Sequence, residues 1–160
     1  RSEAARRHVP GRFWQLDIQK DCVEETWDLV VCSLVLEHVR DDDAAIRNLR
    51  RMAGRHLLVA SIAGDFERYR AWDETQGHVR NYRAGELEDK LRGNRFAVRR
   101  VVYWGFPFYS PLGRILQNRG RVGVGAFTWK DRLVARAALW LYYLNSWRRG
   151  DMVVILAEAV

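Results

Sequence analysis

The apolar positions of this chain follow two rhythms. DLVVC, Asp28 to Cys32, is apolar without a break after its first residue, which predicts a strand covered on both faces. HLLVASI, His56 to Ile62, predicts another buried strand. Between them, DDDAAIRNLRRMAG, Asp41 to Gly54, changes to helical spacing. Ile46, Leu49 and Met52 form an inward stripe, acids sit at the start and Arg50 and Arg51 at the end, and Gly54 supplies a left-handed stop. Strand, helix and strand at such short intervals make a βαβ unit, and therefore a parallel sheet.

The same reading extends outward. RFWQLDI, Arg12 to Ile18, predicts a strand before this unit, with an acid near its C-terminal end. Ser2 to Arg7 predicts a short helix ended by Pro10 and Gly11. Gly64 to Arg83 shows no steady period and predicts a long loop rich in aromatic and charged residues. AGELEDKLRG, Ala84 to Gly93, predicts a short helix with Leu87 and Leu91 inward. Phe96 to Tyr103 and the run DMVVILAEA, Asp151 to Ala159, predict two more strands. Between those two lies an insertion, Gly105 to Gly150, holding the apolar helix LVARAALWLYYL, Leu133 to Leu144. That run is shorter than the ~20 residues a membrane span needs. It admits three readings: a helix packed on the sheet, a lid over an apolar acceptor, or a membrane-surface or dimer contact.

Composition narrows the class. At 160 residues and 48% apolar, the chain is long enough for one domain with a substantial core, and too apolar for disorder. The formal net charge of +7 attracts anionic partners, but the basic residues are spread in pairs, unlike a nucleic-acid arm. Cys22 and Cys32 are the only cysteines, without C-x-x-C spacing, which argues against a disulfide scaffold or a zinc knuckle and for a reducing cytoplasm. No signal peptide is visible at Arg1 to Arg7, where a charged helical fragment stands instead.

Chemistry-bearing residues gather after the apolar runs. The stretch WDLVVCSLVLEHV, Trp27 to Val39, begins as a strand and ends on Glu37 and His38. In an open parallel sheet that edge is where ligands sit. The plainer reading has both residues flanking a helix. GHVRNY, Gly77 to Tyr82, places His78, Arg80 and Tyr82 in the polar loop. His78 is a candidate proton acceptor or a loop-stabilising residue, and Arg80 an anion holder or the partner of a nearby acid. GRVGVGAFTWKD, Gly120 to Asp131, has glycines before a Thr128–Asp131 capping box and reads as a flexible turn rather than a phosphate nest, since it lacks the G-x-G-x-x-G pattern and an entering strand.

Four segments in order, QLDI at Gln15 to Ile18, DLVVCSLVLEHV at Asp28 to Val39, RRMAGRHLLVAS and GHVRNYRAGELEDKL, give the chain a resemblance to class I S-adenosylmethionine-dependent methyltransferases of the broad small-molecule group. It covers roughly Ser2 to Tyr103 and the final strand, and leaves the insertion unexplained. The resemblance implies a doubly wound, mostly parallel, Rossmann-like α/β sheet of seven strands with an antiparallel final hairpin. The strands of this chain would be the third to the seventh. The glycine-rich cofactor cradle would precede Arg1, so that residues 1–160 form a single, N-terminally incomplete domain with 105–150 as an insertion or lid.

The resemblance further implies S-adenosylmethionine as cofactor, held by Asp17 on the adenine with Leu16 and Ile18 flanking the base, and by Cys32, Ser33 and Leu34 along the sulfonium and methionine portion. His78 becomes the candidate catalytic base for a small-molecule acceptor. Some relatives hold a divalent metal with E-x-x-E-H; Leu34 stands at the first position here, so no metal is expected at Glu37 and His38. Two alternatives remain beside methyl transfer: a non-catalytic interaction domain of the same fold, and an RNA-binding or RNA-methylating protein, which would need a contiguous arginine surface.

Overall fold

The computed structural model of the protein describes residues 11–110 and 128–160. Strand β1 (Trp27–Ser33) leads through a single 3-10 turn, Leu36–His38, into helix α1 (Asp42–Met52) and strand β2 (Ala53–Ile62). Helices α2 (Phe66–Thr75) and α3 (Glu86–Gly93) follow, then β3 (Phe96–Trp104), α4 (Trp129–Tyr143) and β4 (Met152–Ala159). The sheet order is β1-β2-β4-β3. β1 runs parallel to β2, whereas β4 is antiparallel to both β2 and β3. Three strands therefore point one way, and the last two form the antiparallel pair that the resemblance implies.

Local chemistry explains the predicted βαβ unit. Asp41 caps α1 by accepting the backbone N–H of Ala44 at 2.9 Å, and Asp42 and Asp43 occupy the positive end of the helix. Ile46, Leu49 and Met52 are all buried. Gly54 is not the left-handed stop: Ala53 ends the helix in an extended conformation, and Gly54 already belongs to β2, where an added Cβ would stand 3.3 Å from the carbonyl oxygen of Trp27. The chain passes from helix to strand without a turn.

Helix α1 packs on β2, α3 packs on β3, and the two helices touch. Leu57 and Val59 of β2, Val153, Ile155 and Ala157 of β4 and Leu87 and Leu91 of α3 form the core with the α1 stripe. Burying each of these large aliphatic side chains contributes about 1.5–3 kcal/mol. The strands nevertheless alternate. Val154 and Leu156, between the buried residues of β4, are only half-buried. β1 was expected to be covered on both faces, but Leu29 is 51% and Val31 58% exposed. β1 is an edge strand among the described residues, with helices on one face of the sheet.

Two further expectations are corrected. Arg12 to Ile18 forms no strand: residues 12–17 are irregular, and Phe13, Trp14 and Leu16 are exposed. Among the described residues, no strand pairs with this stretch of high β-propensity. Gly64 to Arg83 is not all loop, because α2 lies within it. Asp65 caps this helix on the N–H of Glu67, and Arg70 pairs with Glu67 and Glu74 one turn to either side. The helix candidate Leu133 to Leu144 is α4, which begins earlier, at Trp129. The Ser2 to Arg7 helix and the turn at 120–127 lie outside the described residues.

Candidate functional site

The end of β1 turns sharply. Leu34 adopts φ 54, the left-handed region that a leucine seldom occupies, while its N–H donates to the carbonyl of Ala60 at 2.8 Å. This turn leaves Ser33 and Leu34 exposed at the carboxyl edge of the sheet, with Cys32 buried behind them. Burial, and secondarily the charge of Glu37, push the Cys32 thiol up to about 12, so it is neutral and unsuited to be a nucleophile.

The 3-10 turn after it buries Glu37 and leaves His38 exposed. Glu37 is completely buried; its Oε2 accepts a 2.7 Å hydrogen bond from Ser61 at the end of β2, and its backbone carbonyl accepts the N–H of Val79. His38 is exposed, with Nδ1 donating to the carbonyl of Gly77 at 3.0 Å. Both residues thus bind the strand-end turn to the GHVRNY loop, 40 residues further on.

Every polar member of that loop is held from elsewhere. His78 is buried, and its Nδ1–H donates to Oδ1 of Asp73, a buried carboxylate on α2, at 3.0 Å. Asn81 donates to the other oxygen of Asp73 at 2.7 Å. Arg80 pairs with the buried Asp42 at 2.7 Å rather than standing free for an anionic ligand. Tyr82, also buried, donates its O–H to Asp42 at 2.8 Å; burial, then the Asp42 charge, raise its pKa strongly. Lys90 reaches Asp42 and Asp43. The result is a fixed platform: His78, Glu37 and His38 lie together, with the His38 and His78 rings edge to face at a centroid distance of 4.9 Å.

Asp17 lies in a turn docked beside the start of α1. Its Oδ1 accepts both nitrogens of Gln19, and Lys20 stands 3.2 Å from Oδ2. The Gln19 side chain, then its backbone N–H and Lys20, hold the carboxyl below its ordinary pKa. Gln19 in turn accepts the N–H of Asp41, and the carbonyl of Ile18 accepts from Asn48. Asp17 and Ile18 are half-buried and Leu16 is exposed. The structure therefore brings the two histidines and Glu37 together, and sets Asp17 in a turn of its own.

Asp73, Asn81 and Ser61 were not picked out from the sequence. An acid five residues before the histidine was the available signal for Asp73, and only folding could reveal Ser61. Beside this platform an open depression is lined by Gly64, Asp65, Asn81, Arg83, Glu86 and Asp89.

Neither a protein-family model nor a curated protein matches the chain. Solved structures do. An S-adenosylmethionine-dependent methyltransferase from Mesorhizobium loti superposes on 98% of this chain and 77% of its own, at 18% identity and a TM-score of 0.54. The magnesium protoporphyrin IX methyltransferase of Synechocystis, with bound SAH, matches 98% of this chain and 55% of its own at 14% identity and a TM-score of 0.52. The cyclase SpnF matches 98% and 60% at 17% identity and a TM-score of 0.57. The chain thus spans little more than half the length of two of these proteins. At such identities the likeness concerns the fold, and that fold, the mixed α/β sheet with its antiparallel last strand, is the one of the class I S-adenosylmethionine-dependent methyltransferases.

Proposed function

We propose that the protein transfers the methyl group of S-adenosylmethionine to a small-molecule acceptor. The observation that carries this reading is that, at the carboxyl edge of a methyltransferase-type sheet, the segment following the exposed Ser33–Leu34 turn is tied, through the Val79 N–H on the Glu37 carbonyl, to the loop of a histidine held by a buried carboxylate. SAH is bound to the Synechocystis methyltransferase of the same fold, which supports the choice of cofactor. The cyclase SpnF shares the fold as well, so the fold alone does not assign the chemistry and the site must.

The residues fit the group. Ser33 and Leu34 are exposed, and the Asp17 carboxylate is partly open to a ligand while its neighbours keep it ionised. Leu16, Asp17 and Ile18 would hold the adenine, and Cys32, Ser33 and Leu34 the methionine portion. When bound, the cofactor supplies an electrophilic methyl on a sulfonium, which needs no enzyme nucleophile; the neutral Cys32 thiol agrees with that. The protein's task is alignment. His78, in the tautomer that Asp73 favours, carries its lone pair on Nε2, the atom that would take the acceptor's proton. The same reading keeps 1–160 as one domain of a cytoplasmic enzyme, with 105–150 as its insertion. No helix among the described residues is long and apolar enough to cross a membrane.

Calorimetry with S-adenosylmethionine on the whole protein, followed by detection of S-adenosylhomocysteine with a panel of small acceptors, tests the proposal. Saturable binding weakened by Asp17→Ala, and turnover with any acceptor, are the expected results. Absence of binding sinks the proposal; binding without turnover, even with RNA offered, points to a non-catalytic interaction domain.

A further inference from the structure

Glu37, His38 and His78 come from two segments 40 residues apart, yet each contributes a ligand atom to a cluster in which all three lie within 4.8 Å of one another. Two details set this cluster apart from a chance meeting of polar groups. The first concerns the histidines. Each directs Nδ1 at a group that can only accept a hydrogen bond, the Gly77 carbonyl for His38 and the Asp73 carboxylate for His78, both at 3.0 Å. Each neutral ring therefore carries its proton on Nδ1 and its lone pair on Nε2. An acceptor behind Nδ1 is the arrangement that fixes the tautomer and raises the basicity of a metal-ligating histidine.

The second detail concerns the carboxylate. Glu37 is completely buried, with Oε2 satisfied by Ser61, while Oε1 has no hydrogen-bond partner among the described residues. Leaving a carboxylate oxygen buried and unmatched is costly, and such an atom in a folded protein calls for an explanation. A cation shared with the two imidazoles supplies one.

We propose that Glu37, His38 and His78 form a binding site for a divalent transition-metal ion. Two nitrogens and one oxygen suit zinc, cobalt or iron(II) better than magnesium, which prefers an all-oxygen shell. Ligands bonded at ~2 Å to one ion stand at most ~4 Å apart, so the cluster closes by less than ~1 Å on binding, within the reach of side-chain rotation. Three protein ligands leave a coordination position open, as catalytic rather than structural sites do. This departs from the metal-free expectation drawn from Leu34. That expectation weighed only the residues next to Glu37 in the sequence, whereas the third ligand arrives from the GHVRNY loop.

The binding does not depend on the methyl-transfer proposal; only its consequence does. An ion on Nε2 occupies the His78 lone pair, so metal binding and proton acceptance by His78 exclude one another. In the loaded protein the ion, held by Glu37, His38 and His78, would supply the activation of the acceptor by lowering the pKa of an oxygen bound to it.

Titration with Co²⁺ alone, without cofactor or acceptor, tests the site directly, so that failure of methyl transfer and failure of metal binding are told apart. The expected result is one equivalent of Co²⁺ with visible absorption bands, displaced by Zn²⁺ and not by excess Mg²⁺. Affinity drops about 10-fold or more in both His38→Ala and Glu37→Gln, and holds in His56→Ala. His38 is exposed, so its variant keeps the fold and decides the matter even where Glu37→Gln perturbs the core, with circular dichroism as the check. No saturable binding by the unaltered protein, displacement by Mg²⁺, or undiminished binding by folded His38→Ala overturns the proposal.

Discussion

Nδ1 of His78 lies 3.0 Å from Oδ1 of Asp73, and both side chains are buried. The carboxylate also takes the amide of Asn81, so the imidazole is anchored to a group that is itself fixed. His78→Ala in the active protein lowers the transfer rate about 10²–10⁴-fold, the usual contribution of a positioned base, with cofactor affinity unchanged. Asp73→Asn keeps the shape but replaces one acceptor by a donor, which sets it against the Nδ1–H or forces the other tautomer. Its rate falls too while His78 is still present. Full kinetics with calorimetric cofactor affinity separate these outcomes from general damage. Unchanged transfer by a folded His78→Ala protein ends the role of this residue.

Asp42 gathers Arg80, Lys90 and Tyr82 at the start of α1, and thereby joins the loop to the helix core. Tyr82→Phe removes one hydrogen bond to a buried charge and leaves both cations in place. The expected loss is about 1–3 kcal/mol of stability, read as a lower urea midpoint at constant slope. Cofactor affinity should not move. A midpoint equal to that of the unaltered protein would mean that the two cations satisfy Asp42 without the phenol.

How much of this was legible in the sequence depended on how local the cause was. The start and stripe of α1 reside in its own residues, and Ile46, Leu49 and Met52 are buried as their spacing predicts, whereas its stop does not, since Gly54 already belongs to β2. Helix α2 was missed because its order comes from ion pairs around Arg70 and the Asp65 cap rather than from an apolar stripe; the spacing of Glu67, Arg70 and Glu74 was the signal. Arg12 to Ile18 has the composition of a strand, but strands need neighbours, and composition does not supply them. For the site, GHVRNY was recognisable as a motif. Its partners Asp42 and Glu37 are tertiary, whereas Asp73 lies only five residues before His78, and the meeting of His78 with His38 is a property of the fold alone.

The two thiols should differ sharply. Cys32 is buried and its thiol pushed up to about 12, whereas Cys22 is half-buried. Alkylation of the native protein at pH 8, mapped by mass spectrometry, should modify Cys22 and spare Cys32 until denaturant is added. The sign for stability follows from the raised value. Below the ordinary thiol pKa of 9.0 both folded and unfolded states keep the proton, and this contribution is fully present. From 9.0 upward the unfolded chain ionises first, so stability falls as pH rises towards about 12. Rapid modification of Cys32 in the folded protein would contradict the burial.

Helix α4 is apolar and largely uncovered: Trp140 is 75% exposed, its ring packing mainly against Tyr143 at 6.1 Å. Of the three readings for this helix, packing on the sheet predicts that Trp140→Ala destabilises the fold by several kcal/mol. An exposed side chain predicts a change within about 0.5 kcal/mol. We expect the small change. Function then separates what remains. If α4 is an acceptor lid, Trp140→Ala raises KM for an apolar acceptor and spares cofactor affinity, since the indole supplies contact area and no chemistry. If it rests on a membrane, the variant loses sedimentation with anionic vesicles while its kinetics in solution stay the same. A dimer face would instead give a lower apparent mass in sedimentation equilibrium. Loss of several kcal/mol on this one substitution would return α4 to the packed reading and remove the lid from the mechanism.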